Sequence, residues 1–251
     1  MATEVEELRA QVQELAKRLT VVEDEAAIRR LHYIYGYYID KCLYNEAIEL
    51  FEEDCAVHFH GGIYKGKEGV SRLYQTWFGK LFVGGRNGPA HGLLLDHMML
   101  QEVITISPDG KSAKERARAL MQGGLHESVA KTKTYPADTA PGDTIPDPFW
   151  ESGVYENTYS KGSDGKWKIK VLNYRPVWQC SYDQGWGRAP FHAFPPYQKL
   201  YPEDPRGPDI LVNDKNGQWF WPDTHVIPFH YPHPFTGKWA DEGDLNAPKV
   251  H

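Results

Sequence analysis

An α+β fold, a curved mixed or antiparallel sheet packed with helices, is predicted by three features of the chain. Helical periodicity fills the first part as far as "YNEAIELFEED", and a second helical stretch follows at "KEGVSRLYQTWFGKLF". A strand, a glycine turn and a short returning strand in "CAVHFHGGIYKG" separate the two. From Leu93 to Tyr174 the text is strand-like and punctuated by "SPDG" and "SKGSDG" turns.

The elements follow in order. Val5, Leu8, Val12, Leu15, Leu19 and Val22 recur at spacings of three and four, an a/d stripe flanked by Glu, Gln, Lys and Arg. That stripe is either a short coiled coil between subunits or one amphipathic helix laid on its own domain. A second helix is expected from Glu23 or Asp24 through "EAAIRRLHYIYGYYIDKCL", with Gly36 as a weak point. "YNEAIELFEED" reads as another short helix, with Leu50 and Phe51 inward. In "KEGVSRLYQTWFGKLF", Val70, Leu73, Trp77 and Leu81 make an apolar face. "LLLDHMMLQEVITISPDG" is a strand ending in a turn. "KSAKERARALMQGGLH" has helical propensity, yet its place after "SPDG" suits the second arm of a hairpin. Residues 131–149 form a proline-bearing loop with the character of a lid. "WESGVYENTYSKGSDGKWKIKVLNYRPVW" gives two more strands. From Pro176 to His251 the chain holds 12 of its 18 prolines and 5 of its 8 tryptophans. That is too aromatic for a disordered tail and too rich in proline for regular structure. An irregular arm, pinned by its rings to the domain or to a neighbouring subunit, is expected. The division is 1–22 oligomerisation helix, 23–178 domain, 179–251 arm.

Composition narrows the function. A net charge of -6 with 41% hydrophobic and 25% charged residues is ordinary for a globular protein. No Lys/Arg stripe is present to neutralise phosphates, so no nucleic-acid partner is expected. No apolar run is long enough to span a membrane, and the charged N-terminus is not a secretory signal. Cys42, Cys55 and Cys180 are odd in number and far apart, which suggests a reducing, cytoplasmic setting.

The most conspicuous polar feature is the alternation His58-Phe59-His60. Strand periodicity places the two histidines on one face and Val57 and Phe59 on the other. Three readings stand: solvent-facing histidines, a metal site, or proton transfer. A metal site wants further ligands. His91, His97 and His126 are available, but no HExxH and no close Cys/His cluster completes a spacing. For proton transfer, Asp40 sits near a helix end below Tyr37 and Tyr38 and is placed to orient a histidine. His91 and His97 both open strand-like text. Arg116 and Arg118 alternate, so that both either point into a cavity as anion stabilisers or form a charged outer face. Tyr155, Tyr174 and Trp178 are candidate aromatic walls. No nucleophile elbow, phosphate loop or dinucleotide fingerprint appears.

In this order the motifs resemble the SnoaL-like branch of the nuclear-transport-factor-2-like superfamily. The resemblance rests on "ELFEEDCAVHFHGG", the helix start at Gly66 to Val70, His91, the stretch Ile104 to Arg116, and the hairpin Gly153 to Ile169. It implies a cone-shaped α+β barrel over 23–178. It also implies an acid–base pair of the dehydratase-like members at Asp40 and His91, with His58 or His60 taking the place of an assisting tyrosine. The long layout, with its aromatic arm, is similar to cofactor-independent lyases acting on lignin-derived diarylpropane diols. The likeness implies elimination of water and formaldehyde through a quinone methide to give a stilbene. The rival expectations are a dehydratase, isomerase or cyclase for another aromatic, polyketide or steroid-like substrate, or a non-enzymatic binder of small hydrophobic ligands. The expected catalytic set is His58, His60, His91, Asp40, Arg116 and Arg118. Substrate contacts are expected from Tyr37, Tyr38, His97, Tyr155, Tyr174 and Trp178. No cofactor or metal is expected. The expected partners are a small aromatic substrate and further copies of the chain, as a dimer or trimer.

Overall fold

The chain starts with one uninterrupted helix, α1 (Ala2–Asp40), in place of the two that the sequence predicts. Nothing breaks it near residue 23, because Glu, Ala and Ala are strong helix formers and no proline or glycine intervenes. The helix also passes through Gly36. A β-carbon there would lie 3.2 Å from the Met99 methyl and 3.4 Å from the His97 carbonyl, so the glycine lets α1 approach the sheet. The computed structural model describes residues 2–132, 144–188, 194, 197–212, 221–222, 224 and 226–245.

Helix α2 (Tyr44–Glu49) leads into β1 (Phe51–Phe59) and β2 (Gly62–Lys65). Helical structure then runs from Gly66 to Val83 as α3 (Gly66–Ser71), a wide π-helical stretch (Arg72–Gly79) and α4 (Lys80–Val83). Val70, Leu73 and Trp77 are buried on it, as the periodicity predicts. The long strands β3 (Leu93–Ile106), β4 (Ser112–Leu125), β5 (Phe149–Lys161) and β6 (Trp167–Ser181) follow, with the single turn α5 (Glu127–Ala130) after β4. Residues 112–125 are strand despite their helical propensity. They are paired on both sides, to β3 and β5, and two ladders outweigh a weak local preference.

Seven strands form one sheet in the order β3-β4-β5-β6-β1-β2-β7, where β7 is the short Ile210–Leu211. Every neighbouring pair is antiparallel except β1 with β6. The sheet is curved but not closed. Helix α1 lies across it, and the apolar core fills the concave side between them. A buried polar contact pins α1 there: His32 Nδ1 lies 3.0 Å from Glu115 Oε2, outside hydrogen-bond angles, with both side chains fully buried.

The described parts of the arm lie on the domain. Arg116 donates to the carbonyls of Ile227 and Pro228 and stacks on Phe229. The Tyr197 ring meets Tyr64, and the Arg72 guanidinium covers Tyr201. Of the loop expected at 131–149, residues 133–143 lie outside the described residues, and most of the expected lid with them.

Candidate active site

Strand alternation fills the concave face with a transverse row. Register aligns His97 with Met121, Met121 with Glu151, and Glu151 with Gln179, across β3, β4, β5 and β6. Asp40, the last residue of α1, meets that row from above. Its Oδ1 accepts from the His97 ring Nδ1 at 2.7 Å and from the His97 backbone N–H at 2.9 Å. A carboxylate at a helix C-terminus faces the negative end of the dipole, and no basic residue occupies that last turn. The position is therefore not explained by helix stability. It is explained by what Asp40 does to His97: fixing the ring through Nδ1 leaves Nε2 as the nitrogen free of Asp40.

Glu151 is the second carboxyl of the row. Tyr174 Oη donates to its Oε1 at 2.6 Å, and Gln179 Nε2 donates to its Oε2. Burial raises its pKa, against the lowering effects of Tyr174, Gln179 and His97. Gly153 permits this arrangement, because a β-carbon there would occupy the space of the Tyr174 hydroxyl.

His60 arrives by a route that alternation does not predict. Phe59 pairs with Gly62, so His60 and Gly61 are the two central residues of the turn, with φ of 46° and 80°. Both positive values mark a type I′ turn. The left-handed conformation ends the alternation and brings His60 onto the same cavity as Val57 and Phe59. The expectation that His58 and His60 share a face is therefore corrected. His58 lies on the opposite side of β1, beside Asn173 in register, where burial first and then Arg175 lower its pKa.

These groups enclose a cavity of about 80 Å³, lined by His60, His97, Glu151 and mostly by aromatic and aliphatic side chains. Five of the aromatics are Tyr35, Tyr44, Tyr74, Tyr155 and Tyr174. Burial raises the pKa of every one, so at neutral pH they are neutral phenols that donate hydrogen bonds and take no proton as bases. Proton abstraction is left to His97, Glu151 and His60. Phe194, from the arm, closes one side against Phe59, Trp77 and Phe78.

Other expected site residues lie elsewhere. Asp40 pairs with His97 and not with His91, which sits in an exposed turn before β3. Arg116 and Arg118 fall on the outer face, since Ala117 and Ala119 take the inward positions of β4. Arg116 is engaged there with Glu156 and the arm. Tyr155 and Tyr174 line the cavity, as does His97; Tyr37 borders an outer groove together with Asp40 and His97, and neither Tyr38 nor Trp178 lines the cavity. Among the described residues, no three His, Cys, Asp or Glu side chains converge to hold a metal ion.

With this geometry in hand, comparison with known proteins places the chain. A family model described as a SnoaL-like domain matches residues 20–173. The chain belongs to the SnoaL-like family. No curated protein matches this SnoaL-like chain significantly. Among solved structures, that of LinA is 18% identical with a TM-score of 0.50, covering 69% of this chain and 99% of its own. The hexachlorocyclohexane dehydrochlorinase LinA-type3 of Novosphingobium barchaimii LL02 gives the same values: 18% identity, a TM-score of 0.50 and coverage of 69% and 99%. These likenesses show the fold. No helix among the described residues is long and apolar enough to cross a membrane.

Proposed function

We propose that this SnoaL-like protein is a cofactor-independent lyase of the dehydratase type, working by acid–base chemistry on a small aromatic substrate. One observation carries the reading: His97, held by Asp40 from behind, and the buried Glu151 line the same aromatic-walled cavity. His97, oriented by Asp40, is the base. Glu151, held protonated to higher pH than an ordinary glutamate, is the acid. The LinA proteins are dehydrochlorinases by name, and removal of HCl is also an elimination, which supports the reaction class.

Within that class, the specific reading is a diarylpropane diol cleaved to a stilbene, water and formaldehyde. Glu151 protonates the benzylic hydroxyl, which leaves as water while a para-phenolate on the same ring becomes a quinone methide. His97 then takes the proton of the terminal hydroxyl. The carbon–carbon bond breaks, formaldehyde departs, and its electron pair restores the aromatic ring. The layout of the motifs and the aromatic arm support this substrate. A second reading, a one-ring phenol in a dehydratase or isomerase reaction, is favoured by the cavity size. About 80 Å³ lies below the roughly 300 Å³ at the small end of ligand pockets. A two-ring substrate therefore enters only if a wall such as Phe194 moves.

The test is incubation of the purified protein with a diarylpropane diol and, separately, with one-ring polyketide-like phenols. Products are read by mass spectrometry, and formaldehyde and metal content are measured on the same sample. Formaldehyde and a stilbene support the specific reading. Dehydrated product from the phenols alone transfers support to the second. Tight binding without any product would overturn both in favour of a ligand-binding protein.

A further inference from the structure

The first half of α1 packs against nothing among the described residues of its own chain. Every described side chain from Thr3 to Glu23 is exposed, and the first buried one is Asp24. The a/d stripe is part of this exposure: Val12 is 63% exposed, Leu15 59% and Val22 62%. The alternative of an amphipathic helix laid on its own domain is thereby removed. About 20 residues of helix, on the order of 30 Å at 1.5 Å per residue, project with an apolar seam in water. Isolated helices of such length draw most of their stability from packing an apolar face.

The residues beside the seam specify what packs there. Val5, Val12 and Leu19 occupy the a positions, and Leu8, Leu15 and Val22 the d positions. Glu4 and Arg18 then fall at g, with Arg9 and Glu23 at e. In a parallel, in-register pair, each g residue faces the e residue five positions later on the other strand. Glu4 meets Arg9, and Arg18 meets Glu23, an attractive pair at each end and both repeated by symmetry. Valine at two a positions with leucine at two d positions is the combination that favours two strands. We propose that residues 3–23 form a parallel, in-register coiled coil with the same helix of a second copy of this chain, joining two cavity-bearing domains through their α1 helices. The interface is isologous, so one seam serves both copies.

The test uses the full chain. A single Leu8→Cys substitution places two thiols opposite each other at a d layer, within the 7 Å Cα separation a disulfide tolerates. The native Cys42, Cys55 and Cys180 are buried and do not compete. Rapid, near-complete cross-linking between the two introduced thiols under mild oxidation is expected. In an antiparallel pair, position 8 faces the other end of the partner helix, so absence of the cross-link would overturn the proposal. In parallel, Leu8→Glu with Leu15→Glu should halve the mass measured by light scattering and reduce helical circular dichroism, while tryptophan fluorescence of the domain stays unchanged. An unchanged mass would refute the seam. Arg9→Glu should weaken the association at low salt, and adding Glu4→Arg should restore it. A double variant as weak as the single one would refute the parallel register.

Discussion

Replacing Asp40 by Asn isolates the contribution of one negative charge, because size and acceptor oxygen are retained. Asp40 makes two contacts with His97, at 2.7 Å to the ring and 2.9 Å to the backbone N–H. The amide oxygen of Asn still accepts the backbone bond. What disappears is the charge facing the ring as Nε2 takes up a proton. A hydrogen bond to a charged group contributes about 1.5–3 kcal/mol, which corresponds to a fall in kcat/KM of about 10- to 150-fold. His97→Gln removes the base itself and should cost about 10²- to 10⁴-fold. Since Asp40 acts through His97, the double variant should be no slower than His97→Gln alone. The assay is the initial rate of product formation on whichever substrate is turned over, with thermal melts to show that each variant is folded. Wild-type turnover in Asp40→Asn would refute the pairing as catalytic. A double variant slowed by the product of the two single losses would refute the claim that they work as one unit.

Three further outcomes follow from the same geometry. Glu151→Gln should lower kcat by about 10²- to 10⁴-fold. Because burial raises the pKa of Glu151, wild-type activity should decline as pH rises through that raised value, and any residual activity of the variant should lack this decline. His60→Asn keeps a residue that tolerates positive φ, so the melting temperature should hold while KM rises; a lowered melting temperature with unchanged KM would make His60 structural. His32→Ala leaves the Glu115 carboxylate buried without the imidazole beside it, which should cost about 3–5 kcal/mol in urea unfolding. Burial pushes Glu115 up, but His32, Tyr159 and Asn157 outweigh it and its pKa is lowered. The stabilisation is therefore present above the ordinary glutamate range and lost as pH falls through the folded value. His32→Ala should flatten that acid loss, and a variant with the same acid profile as wild type would refute the assignment.

The fold was legible because it depends on periodicities that one sequence displays. The alternation of β3 and β5, the turn at "SPDG" and the apolar face of Val70, Leu73 and Trp77 all survive in the structure. The site was legible only where a residue's position follows from its element. Asp40 could be placed at a helix end, but its choice of His97 over His91 depends on where β3 starts, and strand boundaries are poorly encoded. Arg116 and Arg118 carried the right alternation and the wrong phase, since a period of two does not say which face is concave. His60 was misplaced because the two-residue turn is His60-Gly61 and not Gly61-Gly62, a shift of one residue that changes the face. Glu151 carried no motif at all. Its signal is its register with His97 and Gln179, which exists only once four strands are paired.

The outward position of the arginines leaves open what stabilises an anionic substrate, and the cavity wall supplies an answer that can be tested at one atom. Among the described residues lining the cavity there is no lysine or arginine, so a phenolate there meets no permanent cation. Most cavity phenols already have partners: Tyr35 and Tyr74 bond each other at 2.8 Å, and Tyr174 donates to Glu151. The hydroxyl of Tyr44 is buried beside the Cys42 thiol, a weak acceptor, and among the described residues it makes no hydrogen bond of good geometry. An unmade hydrogen bond of this kind costs about 1–3 kcal/mol in the unliganded protein. An oxygen of the substrate relieves that cost on binding, and an oxyanion relieves more of it than a neutral hydroxyl. Tyr44→Phe should therefore leave the melting temperature unchanged or raise it slightly, while kcat/KM falls about 10-fold, the equivalent of 1.4 kcal/mol. A purely structural role predicts the opposite pairing, a lower melting temperature with unchanged kinetics.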